Sequence, residues 1–525
     1  MEHISQEIFK KENRLKLFGH EDAGKEKNDR LQSYYYKTQQ YEDILSDINL
    51  QIIVGEKGTG KSALLKIAYI ESVSNKITPV WIRLDDLSEL YHTILTSSDL
   101  YELKSIWKKS ISKLVAMKLA AEIHCTAGED YERALSWAYS YGYASRDFIS
   151  DLFNRLKPIH EKYISSITTY EDGGERGVFE RMMKNNTVRI FMDDFDLNWK
   201  GNSNDILKIK SLLLALSDLC SDIDGLSVRI ALRTDVYEMI RNEEFSDKFE
   251  SSIIKCQWNN NEIISVLCKR ICAYFKLDST SFDNASSTKN NYIQYLNYVF
   301  EERFSHYTRC WNDAPIYRVI FSLIRRKPRD MVKLCLSVSE QAYSQKLNKI
   351  NDTCFLNILE SYSQERLKDL VNEYRNQLPS IQSLLIKMAP TKEEAKNKSS
   401  QRYVYTTDQL INKIKNIQSN LNIKIYQAEF QQLMPARPLE IAHFLYKIGF
   451  ITGRSQSSSS VKISRVYYNE SPYLLMPTTS DGGYAWEIHP AYRGALAMSN
   501  NDSWETTLDV DDEDYTLIES IQQLT

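Results

Sequence analysis

An apolar run from Gln51 to Val54 enters Gly55-Glu56-Lys57-Gly58-Thr59-Gly60-Lys61-Ser62 and leaves as the helical pattern SALLKIAYIESV. Strand, glycine-rich loop and helix, in that order, constrain the chain more than any other feature. The glycines let successive backbone N–H groups turn inward around phosphate oxygens with no side chain in the way, and a helix N-terminus favours the same negative charge. The spacing G-x-x-x-x-G-K-[ST] assigns Lys61 to the β- and γ-phosphates of a nucleotide and the Ser62 hydroxyl to a magnesium ion. Ala63 completes the segment expected to touch the nucleotide. Glycine supplies only 17 of the 525 residues, so a chance match of this kind is uncommon.

More short apolar runs follow. VWIRL (Val80 to Leu84), TVRIFMDD (Thr187 to Asp194), SVRIALRT (Ser227 to Thr234) and SIIKCQW (Ser252 to Trp258) alternate with helical patterns such as ILKIKSLLLALSDLC. That alternation predicts an α/β fold, a parallel five-stranded P-loop core of the ASCE type covered on both faces. Residues 34–258 form this core, with a helical insert over 87–180. Residues 1–33 are charged and polar and read as an arm or short helix on a neighbouring surface. From Asn261 to about Phe430 the periodicity is helical with almost no strand signal, giving a helical lid over 259–345 and a helical connector over 346–435. Pro328 stands where a helix would begin. Over 436–499 a helix (PLEIAHFLYKIGF), a serine-rich turn (SQSSSS) and short strands predict a winged helix. The acidic tail, 500–525, reads as solvated.

A magnesium ion needs a carboxylate besides Ser62. Asp193 ends an apolar strand, as such a ligand should, and Asp194 after it can orient or deprotonate the attacking water. Asp196 is a further candidate. Ligands of a parallel sheet meet the carboxyl ends of its strands, so Arg233 points either at the γ-phosphate or into a surface ion pair. Arg329, in RRKPRD, either reaches the nucleotide or caps its own helix.

Composition narrows the classes. The 525 residues, 42% hydrophobic and 26% charged, suit two to four globular domains. A formal charge of −4 exerts no general pull towards nucleic acid. No apolar run approaches the roughly 18 residues of a membrane span, and MEHISQEIFKKENRLK lacks a secretory apolar stretch. The eight cysteines are scattered, without paired zinc spacings, and fit reduced core residues of a cytoplasmic protein.

GEKGTGKS, FMDDFD, ALRTD and RKPRD in this order resemble bacterial P-loop ATPases of the AAA+/STAND kind. Within that kind the chain is most similar to a defence-island-associated family with an FG-x-x-DA segment, here Phe18-Gly19-His20-Glu21-Asp22-Ala23; IHPAYRGAL (Ile488 to Leu496) is similar to that family's C-terminal winged-helix region. The resemblance implies ATP with Mg2+ at Lys61, Ser62 and Asp193, hydrolysis assisted by Asp194, and sensors at Arg233 and Arg329. Motor-type families tend to have glutamate where Asp194 stands, which suits slow, switch-like hydrolysis here. The implied function is a regulatory ATPase acting as a homo-oligomeric switch or scaffold that controls an effector protein in antiphage defence. A neighbouring subunit would complete the site with an arginine, for which Arg229 and Arg241 flank the fourth strand without either being singled out. The alternative is a DNA-handling, initiator- or loader-like ATPase contacting DNA through the winged helix. Arg454, Lys462 and Arg465 would make only a thin phosphate-binding surface, and Tyr467, Tyr468, Tyr473, Tyr484 and Trp486 suit core or protein interface better than base stacking.

Overall fold

The structure is a computed structural model that describes residues 6–87, 99–122, 134, 137–138, 174–183, 186–197, 199–241, 248–282, 292–304, 314–394, 402–427, 432–456, 463–476 and 483–497. The acidic tail, turn residues 457–460, Lys462 and most of the expected insert lie outside these residues. The chain divides into two compact units: a sheet unit of residues 39–56 and 61–256, and a helical unit of residues 1–38, 57–60 and 257–525.

The chain begins in the helical unit with α1 (Lys11–Phe18) and α2 (Asn28–Tyr34), then enters the sheet unit. There it runs through α3 (Gln39–Leu45), β1 (Leu50–Gly55), α4 (Lys61–Ser74) and β2 (Thr78–Ile82). Next come α5 (Leu100–Glu122), α6 (Gly174–Met183), β3 (Val188–Met192), α7 (Ser203–Asp222), β4 (Leu226–Arg233), α8 (Thr234–Ile240) and β5 (Ile253–Lys255). The strands form one sheet in the order β2-β3-β4-β1-β5, every pair parallel, with Ile52 opposite both Ile230 and Ile253. This is a five-stranded, all-parallel α/β sheet, with β4 inserted between the loop-bearing strand and the strand that leads into Asp193. All residues of β1 and β3 are buried, which is why both read as unbroken apolar runs rather than alternating ones. The described part of the insert packs on α7: the Trp107 indole donates to Ser211 Oγ at 3.1 Å, and Arg176 pairs with Asp222 at 2.9 Å.

Arg229 is buried within β4. Its guanidinium donates to the carbonyl of Ile44 (2.8 Å) in the last turn of α3 and to those of Ser46 (2.7 Å) and Ile48 (2.8 Å) in the turn that follows. Burial and the nearby Arg189 push it down to about 9. A side chain spent in this way cannot serve a neighbouring subunit, so Arg229 drops out as the trans-acting arginine.

The helical unit continues with α9 (Asn260–Phe275), α10 (Tyr292–Leu296), α11 (Ile316–Leu323), α12 (Pro328–Ser344), α13 (Asp352–Tyr374) and α14 (Ile381–Lys387). Asn259 and Glu262 form a reciprocal capping box on α9, and Pro328 opens α12. The N-terminal segment is not peripheral. Phe9 and Phe18 are fully buried in one apolar cluster with residues of α9, α11, α12 and α13, and the Arg270 guanidinium donates to the Phe18 carbonyl. Charged residues around two phenylalanines disguise a core contribution.

Beyond α14 lie β6 (Val404–Tyr405), α15 (Thr407–Gln418), β7 (Lys424–Gln427), β8 (Gln432–Pro435), α16 (Pro438–Lys447), β9 (Ile451–Gln456), β10 (Ile463–Val466), β11 (Ala485–Ile488) and α17 (Pro490–Leu496). An antiparallel sheet in the order β10-β9-β11-β6 packs with α15 and α16 around Trp486 and Tyr446. The short strands β6 and β7 add to a stretch that reads as helical with almost no strand signal before about residue 430. Two residues of strand carry no legible alternation, and β6 exists only because β11 pairs with it.

Candidate nucleotide site

The loop leaves β1 at Gly55 and enters α4 at Lys61. Gly58 (φ 90°) and Gly60 (φ 94°) adopt left-handed backbone that a side chain would strain. Lys61 Nζ donates to the carbonyls of Gly55 (2.7 Å) and Glu56 (3.0 Å), closing a ring across the loop.

Asp193 follows β3 directly and is 8% exposed. The Ser62 hydroxyl and the Lys61 ammonium both favour its charged form, so the sheet brings the residues assigned to magnesium near one another although β4 separates their strands. Burial and the adjacent Asp194 raise Asp193 to about 6, against the opposing effects of Ser62, the Asp194 amide and Lys61. A buried carboxylate held this high lacks positive charge, and a divalent cation beside a serine hydroxyl fits that shortage. Among the described residues no group of three or more His, Cys, Asp or Glu side chains could hold a metal alone. Magnesium suits such a sparse site, since it usually takes one or two carboxylates and completes its shell with water and substrate phosphate.

Asp194 is exposed and has φ 63°; its N–H donates to Asp193 Oδ1 at 3.1 Å and its carbonyl accepts from Leu197 at 3.0 Å. Left-handed backbone at a non-glycine residue is uncommon and gathers at functional sites. Asp196, the further acid candidate, accepts the Arg233 backbone N–H at 2.8 Å and ties the turn after β3 to the end of β4. The Arg233 side chain forms a forked ion pair with the buried Asp235, Nε to Oδ1 at 2.9 Å. Of its two open readings, the ion pair is the one this structure contains.

The loop residues Lys57 to Gly60 group with the helical unit, and the contacts there are its own. The Arg329 N–H, one of the helix-end amides of α12, donates to the Gly58 carbonyl at 3.2 Å, while its Nε donates to the Glu21 carbonyl at 3.3 Å. A Cβ on Gly58 would lie 3.0 Å from Arg329 Cβ, so glycine there is needed for the close approach as well as for φ. Arg329 thus lies against the loop rather than capping its helix through its side chain. Two residues that sequence reasoning missed hold the same loop. The Trp258 indole donates to the Thr59 carbonyl at 2.6 Å, and Glu373 accepts the Lys57 N–H at 3.1 Å. Neither carries a local signal, since Glu373 lies 316 residues from its partner.

No family model matches the chain. It is similar to a putative transposon gamma-delta 80.3 kDa protein of Escherichia coli (strain K12), 21% identical over 521 residues that take in 92% of this chain and 67% of that one. Among solved structures, the Thermotoga maritima RuvB Holliday junction branch migration motor has 11% identity, coverage of 84% of this chain and 94% of that one, and a TM-score of 0.29. The Aeropyrum pernix ORC2 protein (ADPNP-ADP complexes) has 11% identity, 93% coverage of each chain and a TM-score of 0.34. The Aeropyrum pernix ORC1 protein in complex with DNA has 10% identity, 98% coverage of each and a TM-score of 0.29. Superpositions this loose leave the fold resting on strand order and register. Among the described residues no helix is long and apolar enough to cross a membrane.

Proposed function

We propose that the chain is an ATP-binding and ATP-hydrolysing P-loop ATPase of the AAA+ type, working as a slow nucleotide-controlled switch. The observation that carries this is the glycine loop between β1 and α4 set beside the buried Asp193 at the end of β3, in a sheet ordered β2-β3-β4-β1-β5. Gly55 to Ala63 would wrap the phosphates through their amides, Lys61 would exchange its carbonyl partners for phosphate oxygens, and Ser62 with Asp193 would hold Mg2+. Bound there, magnesium would offset phosphate charge and shield Asp193. Asp194 is held at the exposed edge beside that carboxylate, where it can orient an attacking water and take its proton. Arg233 would need to leave Asp235 to meet a γ-phosphate, and Arg329 would act through its contact with Gly58.

The helical unit supplies the responding parts. A winged-helix-type module formed by α15, α16 and the β9–β11 strands would be a packing element that changes with nucleotide state, and self-assembly would let neighbouring subunits complete one another's sites. Control of an effector protein in antiphage defence is part of this reading through family resemblance. The DNA-handling alternative draws less support. Arg465, one of its three phosphate-binding cations, is buried and paired with Glu487 at 3.1 Å, while Trp486 is fully buried and Tyr467 stacks on Arg326.

The test is ATP turnover by the wild-type protein alone and with single-stranded DNA, double-stranded DNA or RNA, with Asp194→Asn as the blank. A slow rate indifferent to all three fits the switch. Strong stimulation by any of them would put the DNA-handling reading first. A wild-type rate no higher than the blank would remove the hydrolytic role.

A further inference from the structure

The Lys57 amide belongs to a loop built to present N–H groups to anions, yet it donates to the carboxylate of Glu373. Glu373 lies on the last turn of α13 and is buried. A carboxylate oxygen and a phosphate oxygen are the same kind of acceptor for an amide, and one N–H cannot serve both at full strength. A buried negative charge at this point also opposes the approach of further negative charge.

We propose that Glu373 is an intramolecular stand-in for nucleotide phosphate, a latch that holds the Lys57 amide until the phosphates of ATP displace it. This rests on the reading that the loop binds ATP. The surroundings give the displaced carboxylate somewhere to go. Lys57 and Glu373 line a cavity of about 150 Å³ whose other walls carry the cations Arg325, Arg329 and Lys333 and the carboxylates of Glu21, Asp22, Asp330 and Asp369. Turning from the amide into that space would bring the carboxylate towards Arg329, while Lys333 already pairs with Glu21 and Asp369. The helix that carries the latch is held along its length. On α13, Asp369 pairs with Lys333 (3.6 Å) and Arg366 (3.1 Å), and Ser363 accepts the Ala495 N–H of α17 at 2.8 Å. Gly494 of α17 lies against the Leu359 carbonyl so closely that a Cβ would be 2.9 Å away. Displacement of Glu373 therefore loads the helix against which α17 packs.

Glu373→Gln keeps the shape while removing the charge and weakening the acceptor. In calorimetric titrations with magnesium present, it is expected to bind ATP and ADP roughly tenfold more tightly than wild type, because the phosphates no longer compete with a charged acceptor. Adenosine, which lacks phosphates, should bind both proteins equally. Glu373→Asp keeps the charge but shortens the reach, and should gain part of the same effect. Hydrogen exchange at the Lys57 amide in the absence of nucleotide should be faster in both variants. Unchanged or weaker ATP binding by folded Glu373→Gln, while wild type binds and Lys61→Ala does not, would overturn the latch and leave Glu373 as a prop for the loop. An equal gain for adenosine would overturn it too. Should wild type bind no ATP at all, the nucleotide reading falls and takes the latch with it.

Discussion

Two aspartates are buried to a similar depth with opposite consequences. Asp330, at the start of α12, is 1% exposed and receives Arg325 at 2.7 and 3.0 Å and Arg366 at 2.7 Å. Burial alone would raise it, but Arg325 and then Arg366 outweigh that and hold it well below the usual carboxylate range. Asp193 has a hydroxyl, an amide and the more distant charge of Lys61, and its pKa stands at about 6. One unit thus contains a charge fully matched by its own chain. The other keeps a charge that the fold alone leaves unmatched, as expected where the missing charge comes with a ligand.

Breaking the matched site should have the largest effect. Arg366→Ala leaves Asp330 short of a partner in the interior, and urea unfolding should show a loss of about 3–5 kcal/mol. A loss under about 1 kcal/mol would mean that Arg325 alone suffices. Next, Lys61→Ala should weaken magnesium-ATP binding by about 100-fold or more, roughly 3 kcal/mol, in equilibrium titration. Normal binding by this variant would sink the nucleotide site itself.

The unmatched site should respond in the opposite direction. Its folded pKa lies above the unfolded value of about 3.9, so the folded state holds the proton more tightly. The associated stability is complete below about pH 4 and is lost as pH rises through about 6. Without magnesium or nucleotide, Asp193→Asn should therefore be more stable than wild type at pH 8, by up to about 3 kcal/mol, with the gap closing towards pH 4. Magnesium-ATP should raise the melting temperature of wild type and not of the variant. A gap independent of pH would show that Asp193 is already compensated. The smallest effect is expected at Trp258→Phe, which removes the hydrogen bond to Thr59 and should cost about 1 kcal/mol of ATP affinity in the same titration.

The sheet unit was far more legible from sequence than the helical unit. Its strands are short, continuous apolar runs ending in glycine or acids, so β1, β3 and β4 emerge within a residue or two of their ends. The glycine-rich loop is local in sequence and needs no knowledge of the fold. What escaped depends on distant partners. Glu373 reaches Lys57, Phe18 enters a core beside Phe300, and β6 requires β11. None of these leaves a period or a motif, because each residue's role is defined by something hundreds of positions away or by a turn of tertiary structure. Arg229 is the instructive case: on paper it is one surface arginine among many, and in the fold it is an internal cap for α3.

The left-handed backbone at Asp194 has a bearing on what evolution can do with this chain. Aspartate and asparagine tolerate that conformation because a short polar side chain can bond to its own backbone, whereas longer side chains meet more steric resistance. Glutamate, the acid with the longer reach, would enter a turn already shaped against it. If the turn serves hydrolysis as proposed, a glutamate here would carry a backbone cost that aspartate largely avoids. On the proposed reading, the tempo of hydrolysis would be tied to a backbone angle as well as to the acid that the codon specifies.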